Sequence, residues 1–219
     1  MNKYLILTVT LLISGCDHYL KYQTELLSVQ QEDHGIKNAL TSKDEVGLFS
    51  NSNLAIAATL GTTGITIILE NKSNEKMKIL WDETLIVDHK GITHRTFHEG
   101  IRYVARHESQ PPTIILPHQT HMDSISSADT VHFTQGTHSP GYIYGNSIRG
   151  YSYMPGYSTP GSWQGGGIFT FSVNSTDQLP EIKKETLAKN VYLHLTLEHQ
   201  NKKQEYKLTF QIKDVKIKE

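Results

Sequence analysis

Residues 190–212, NVYLHLTLEHQNKKQEYKLTFQI, carry the clearest structural pattern in the chain. Apolar residues alternate with polar ones on both sides of a polar centre that contains Asn201, Lys202 and Lys203. A period of two is typical of a β-strand with one buried face. The two runs therefore predict a long antiparallel hairpin, whose buried residues are Val191, Leu193, Leu195, Leu197, Tyr206, Leu208, Phe210 and Ile212.

Upstream of this hairpin, short β-rich runs separated by turn residues extend back to Val46. Prolines flank residues 113–116, so that run is expected to form an edge strand at most. Residues 179–190 contain Pro180 followed by a run rich in charged residues. This pattern suits a short helix or a charged crossover. Many short strands and almost no helical periodicity predict one all-β domain over residues 46–219, an antiparallel β-sandwich, with a closed barrel as the main alternative.

Residues 1–15 are predicted to be an export signal. Lys3 precedes an apolar run of roughly ten residues, which is shorter than the ~20 residues of a membrane-spanning helix. Leu12-Ile13-Ser14-Gly15-Cys16 resembles the bacterial lipobox, which implies cleavage after Gly15, diacylglycerol on the sulfur of Cys16 and acylation of the new amino terminus. A core strand or an ordinary secretory signal is the alternative. Asp17 resembles the signal that retains enterobacterial lipoproteins in the inner membrane.

Residues 16–45 are polar and show no strong alternation. Four apolar residues form one weak helical stripe: Leu20, Leu26, Leu27 and Val29. We predict a lipidated tether with a short helix, which lifts the domain off the bilayer. The alternative is that this segment adds an edge element to the domain.

The composition narrows the classes of function. Lysine and arginine number 21 against 22 acidic residues, so no basic excess favours binding to nucleic acid. Cys16 is the only cysteine, which excludes disulfides within the mature chain. Ser147 lacks the closing glycine of a nucleophile elbow, and Gly165-Gly166-Gly167 lacks the lysine of a phosphate-binding loop. We therefore predict neither an enzyme nor a cofactor.

One part of the chain suggests a family. The segments that carry this pattern are Ile79-Leu80-Trp81-Asp82-Glu83, Val87-Asp88-His89-Lys90-Gly91, Arg95, Gly100-Ile101-Arg102-Tyr103 and Ser109-Gln110-Pro111-Pro112. Together they resemble a widespread group of uncharacterised bacterial envelope lipoproteins with an immunoglobulin-like domain. The resemblance covers about a quarter of the chain. It implies a fold and a location, but no reaction.

Twelve histidines make metal binding the second hypothesis to weigh. The best candidates are His118 and His121, which are followed by Asp123, and then His94 with His98 and Glu99. Zinc needs three or four ligands that converge at ~2.0–2.2 Å. On a strand, His118 and His121 would lie on opposite faces, so they need a turn to converge. Scattered imidazoles that face solvent are the simpler interpretation.

Residues 135–167 have the most unusual composition, with nine of the sixteen glycines, five of the eleven tyrosines and three of the seven prolines. A loop this long within a compact domain is usually functional or disordered. Tyrosine with glycine and serine is also the mixture found in antibody binding loops. We predict a recognition loop with six candidate contact residues: Tyr142, Tyr144, Tyr151, Tyr153, Tyr157 and Trp163. A flexible insertion, or one packed on the domain, is the alternative. Trp81 is expected in the core.

These patterns lead to one functional hypothesis and one alternative. The first is a non-catalytic binding or scaffolding module, held by lipid on Cys16 in the cell envelope of a Gram-negative bacterium and facing the periplasm. Its expected partners are the membrane and an envelope protein or glycan. The alternative is a periplasmic metal-binding protein that uses His118 and His121.

Overall fold

The computed structural model describes residues 19–31, 47–61, 64–134, 138–139, 142–146, 150–154, 157–158, 160, 162–165 and 178–218. The predicted export signal and Cys16 lie outside the described residues, as does Ser147. Among the residues that are described, no helix is long and apolar enough to cross a membrane.

The described chain consists of β-strands with one α-helix, α1 (Leu179–Thr186). The strands are β1 (Tyr19–Gln31), β2 (Gly47–Ser50), β3 (Leu54–Leu60), β4 (Ile65–Asn71), β5 (Met77–Ile79), β6 (Leu85–Val87), β7 (Thr93–His98), β8 (Thr113–Ile115), β9 (Thr120–Ser127), β10 (Val131–Thr134), β11 (His138–Ser139), β12 (Tyr142–Asn146), β13 (Gly150–Met154), β14 (Tyr157–Ser158), β15 (Ser162–Gly165), β16 (Asn190–His199) and β17 (Lys202–Lys218). Short 3-10 turns occupy Trp81–Glu83, Tyr103–Ala105 and Ala128–Thr130.

Eleven strands form one antiparallel sheet in the order β1-β17-β16-β6-β7-β9-β4-β3-β2, with β5 paired to β16 and β8. The sheet curves so that its two ends face each other. The ring of Phe49 on β2 contacts that of Tyr206 on β17 edge to face, with 5.7 Å between centroids. Thr24 Oγ1 on β1 donates to the carbonyl oxygen of Leu60 on β3 at 2.7 Å. The prediction of an all-β sandwich is therefore confirmed.

One large cluster of buried apolar residues fills the space that the curved sheet encloses, and strands from both ends of the sheet contribute to it. Trp81 belongs to it, as predicted, and its indole Nε1 donates to Thr113 Oγ1 at 2.8 Å. β8 pairs only with β5 among the described strands, which agrees with its expected edge position. These contacts place the core where the alternating residues predicted it.

The predicted hairpin is present as β16 and β17, with Val191 opposite Phe210 and Leu197 opposite Gln204. Gln200 and Asn201 form the turn, and both have positive φ, at 53° and 59°. Positive φ at both central residues is characteristic of the type I′ turns that match the twist of a two-residue hairpin. The turn therefore lies one residue earlier than the lysine-containing segment had indicated.

The predicted tether is wrong for residues 19–31. This segment is strand β1, which pairs with the second half of β17 from Tyr19↔Lys218 to Gln31↔Tyr206. Leu26 and Val29 are 2% and 1% exposed. The register shifts between Leu26 and Ser28, so the buried positions change parity at that bulge. The bulge hides the period of two, and the alternative of an edge element is the correct one.

Candidate functional site

The Gly/Tyr-rich segment forms paired strands in place of the predicted irregular loop. β10 pairs with β15, β11 with β14, and β12 with β13, all antiparallel. Together the three ladders are nested around residues 147–149, with β12 and β13 nearest to that centre. The loop prediction is therefore corrected for the described residues: glycine and serine occur here along paired strands as well as between them.

The three ladders share one register. It begins with Val131↔Gly165, continues through Ser139↔Tyr157 and ends with Asn146↔Gly150. Equal numbers of residues separate successive ladders on the two sides, three between the first and second and two between the second and third. The pairing of residues therefore keeps the same offset from one ladder to the next. We call the six strands β10 to β15 the ribbon, because their three ladders share the register that a single long hairpin would have.

The shared register divides the ribbon positions into two faces, since partners in an antiparallel pair lie on the same face and neighbours along a strand alternate. Four of the six predicted contact residues fall on one face: Tyr151, Tyr153, Tyr157 and Trp163. Val131, Phe133 and Ile143 occupy positions on the same face. Tyr142 and Tyr144 fall on the other face, opposite Met154 and Ser152. The register thus assigns most of the aromatic positions to one face, which we call the first face, and mostly polar positions to the second face.

Among the described residues, the ribbon strands pair with one another and with no strand of the large sheet. The ribbon follows β9 directly, after the turn Ala128–Thr130. At this end of the sheet, Ile125 of β9 is opposite Ile65 of β4, which in turn is opposite Leu60 of β3. The ribbon therefore starts at the end of the sandwich where β3 meets β4.

The two histidines of the metal hypothesis have different partners. His118 Nε2 lies 3.0 Å from Asn74 Oδ1, in the loop before β9. His121 Nε2 lies 3.2 Å from Asp123 Oδ2 on β9 itself. His94 lies between two carboxylates, 3.4 Å from Asp88 and 3.1 Å from Asp129. Within the described part of the chain, no group of three or more histidine, cysteine, aspartate or glutamate residues has the geometry to hold a metal ion.

Instead, the structure brings together residues from both predicted histidine groups. Asp123 is 4% exposed, and its Oδ2 lies 3.2 Å from His98 Nδ1 as well as from His121. Its Oδ1 accepts hydrogen bonds from the backbone N–H groups of Glu99 at 3.0 Å and Ser124 at 2.8 Å. The His98 ring stacks on Trp81 with 4.1 Å between centroids. This cluster joins β7, β9 and the turn at Trp81.

The electrostatics of this cluster favour an ionised aspartate. Burial by itself raises the pKa of Asp123, but the hydrogen bonds from His98, the Glu99 N–H and His121 outweigh it and hold the pKa below its ordinary value. A buried carboxylate that accepts this many hydrogen bonds is a structural anchor for the segments that donate them. The arrangement thus positions the loop that begins at Glu99.

Comparison of the chain with protein-family models, with curated proteins and with solved structures finds no match.

Proposed function

We propose that this protein is a lipid-anchored, non-catalytic binding module of the bacterial cell envelope, and that its ribbon recognises an envelope protein or glycan. The observation that carries the proposal is the shared register of the three ladders outside the main sheet, which puts four of the predicted contact residues at positions of one face. The lipid anchor and the domain together determine where in the cell envelope the ribbon meets its partner.

The sequence around Cys16 supports the anchor. A short apolar run, small residues at 14 and 15 and the only cysteine of the chain follow one another in the order that lipobox recognition requires. Two or three acyl chains give stable attachment to a membrane, whereas one chain is marginal. On this proposal the mature protein begins at Cys16 and faces the periplasm. Asp17 favours retention in the inner membrane.

The physical chemistry of a two-stranded ribbon supports recognition. An isolated two-stranded hairpin is marginally stable in water, because each strand has an unpaired edge and an unsupported face. The first face of the ribbon has seven apolar or aromatic positions, from Val131 to Trp163. Tyrosine and tryptophan provide large contact areas at a small cost in side-chain entropy. Covering this face with a partner would stabilise the ribbon and supply binding energy together.

A face-specific experiment tests the ribbon. In one variant Tyr151, Tyr153 and Tyr157 are replaced by serine, and in the control Tyr142 and Tyr144 are replaced by serine. Each variant is crosslinked in intact cells through a photoreactive residue at position 147, and the captured partners are identified by mass spectrometry. We expect the first variant to lose its partner and the control to keep it. Equal capture by the wild type and the first variant would refute recognition through this face.

A separate measurement tests the anchor. Intact-mass analysis of the membrane fraction should show a mature chain that starts at an acylated Cys16. Cys16→Ser should move the protein to the soluble fraction, since it removes the acceptor thiol. An unmodified cysteine, or residues 1–15 still attached in the membrane form, contradicts the anchor.

A further inference from the structure

The position of β1 determines how close the domain would sit to its anchor. β1 begins at Tyr19, and only Asp17 and His18 separate it from Cys16. Three residue steps span at most about 11 Å of extended chain. If Cys16 carries lipid, as proposed above, the first residues of β1 lie at the level of the phospholipid headgroups. The end of the sandwich that contains Tyr19 then faces the membrane.

Several other elements meet at this same end. Lys21 on β1 is directly opposite Lys216, near the end of β17. α1 is held to β17 by an ion pair of 2.9 Å between Lys183 Nζ and Asp214 Oδ1, and the backbone N–H of Ala188 donates to the carbonyl of Ile212 at 3.0 Å. The start of β16, which follows α1, lies beside the turn between β6 and β7, because Tyr192 pairs with Val87. We call this surface the basic end, for the lysines described next.

The first cavity of the basic end has a volume of about 290 Å³ and lies between β1, β3 and β17. Its described lining contains Lys21 and Lys216 and no carboxylate. Like charges directly opposite each other in a sheet are destabilising. Lys216 Nζ is 3.6 Å from Asp214 Oδ2, but Asp214 also binds Lys183. Asp214 thus lies close to both Lys183 and Lys216, and Lys21 is opposite Lys216. These three lysines outnumber the one carboxylate, so the mouth of the cavity has an excess of positive charge.

The second cavity has a volume of about 490 Å³ and lies between the β6–β7 turn and the C-terminal part of α1. Its described lining is His89, Lys90, Lys184, Glu185 and Lys189. Three lysines therefore face one glutamate. Both cavities favour an anionic group, although the whole chain has a net charge of only −1.

We propose that the two lysine-lined cavities of the basic end bind the headgroups of anionic phospholipids in the membrane that holds Cys16. The inference rests on the proposed lipid anchor, which brings this end to the membrane. The acyl chains hold the domain in place, and the lysines then set its orientation, with the sandwich standing on the ends of β1 and β17. The opposite end, with the β16–β17 turn, points away from the bilayer.

Vesicle sedimentation tests the headgroup site without the acyl chains. The protein is the mature chain, residues 16–219 with Cys16→Ser, which contains every described residue. We expect it to bind vesicles that contain phosphatidylglycerol, to ignore pure phosphatidylcholine, and to release as salt is raised. Each lysine near an anionic surface contributes about a fivefold gain in partitioning (about 1 kcal/mol). Lys21→Gln with Lys216→Gln should therefore weaken binding by about thirtyfold.

The control variant carries Lys76→Gln with Lys202→Gln, which removes the same charge from the opposite end of the sandwich and should bind like the unsubstituted chain. Equal losses in the two variants, or equal binding to both kinds of vesicle, overturn the proposal. So does competition by millimolar inorganic phosphate, which would make free phosphate the ligand. Acylated Cys16 without a preference for phosphatidylglycerol would overturn this inference alone, whereas phosphatidylglycerol binding with a free Cys16 would overturn the anchor alone.

Discussion

Replacing Leu26 with alanine should destabilise the domain by about 3 kcal/mol, because the side chain is 2% exposed and lies in the shared core. Large-to-small substitutions at such positions cost about 2–5 kcal/mol, through lost transfer energy and the cavity that remains. Leu27 offers a matched control in the next position. It is only half-buried and lies at the bulge, where the register shifts between Leu26 and Ser28. Leu27→Ala should cost less than about 1 kcal/mol.

Urea unfolding of the mature chain, followed by circular dichroism, gives the two free energies of unfolding. For a domain of this size, the Leu26 variant should also melt about 6–12 °C lower, since 1 kcal/mol corresponds to about 2–4 °C. This loss of stability tests β1 in particular, because Leu26 lies opposite Phe210 of β17. Equal stability of Leu26→Ala and the wild type would show that residues 19–31 are a tether, and the fold described above would be wrong in that part.

Three further substitutions test separate parts of the structure by the same unfolding measurement. Gly64→Ala should lower the free energy of unfolding by about 1–3 kcal/mol, since a Cβ there would lie 2.5 Å from the carbonyl oxygen of Ile125. The control Gly61→Ala should be nearly neutral, because the nearest atom to its Cβ would be 3.5 Å away. Similar losses in both variants would refute the close approach at Gly64. Asp123→Asn should cost about 2 kcal/mol at pH 7. Because the folded pKa of Asp123 is lowered, its ionised form stabilises the protein above the unfolded pKa of about 3.9, and that contribution is lost as pH falls through the folded pKa. If the variant loses stability at acidic pH in the same way as the wild type, this role of Asp123 is wrong. Burial lowers the pKa of His89, so the wild type should lose stability as pH falls below about 6.5 towards the folded pKa, and His89→Gln should flatten that part of the profile.

The hairpin of β16 and β17 was predictable because a single physical cause determines its pattern. One face is buried along β16 from Val191 to His199 and along β17 from Tyr206 to Ile212, and a two-residue turn keeps the register continuous. Local alternation and tertiary burial therefore agree from Val191 to Leu195 and at Leu197, whereas Thr196 on the other face is buried as well. The buried Trp81 was predictable for the same reason.

β1 was not predictable in this way, because its register shifts twice, between Gln23 and Thr24 and between Leu26 and Ser28. On β1 the second shift moves the buried residues from even to odd positions, and the apolar positions then imitate a weak helical stripe. The partner of β1 is also remote, at the far end of the chain. β17 extends to Lys218, past the end of the predicted hairpin at Ile212, and β1 pairs along it.

The ribbon contained a usable signal that the length of the segment obscured. Tyr142 and Tyr144 alternate on one side of residues 147–149, and Tyr151 and Tyr153 alternate on the other. This is the pattern of a hairpin with its turn between them. The histidine cluster had no comparable signal, because His98 and Asp123 meet only through the pairing of β7 with β9.

The ribbon and the proposed anchor lie at the same end of the sandwich. β9 ends beside the β3–β4 connection, and Leu60 in that region accepts a hydrogen bond from Thr24 near the start of β1. The ribbon therefore leaves at the end that would face the membrane. On the proposed anchor and ribbon function, a partner would be met close to the bilayer surface, which favours another membrane-attached component over a protein that diffuses freely in the periplasm.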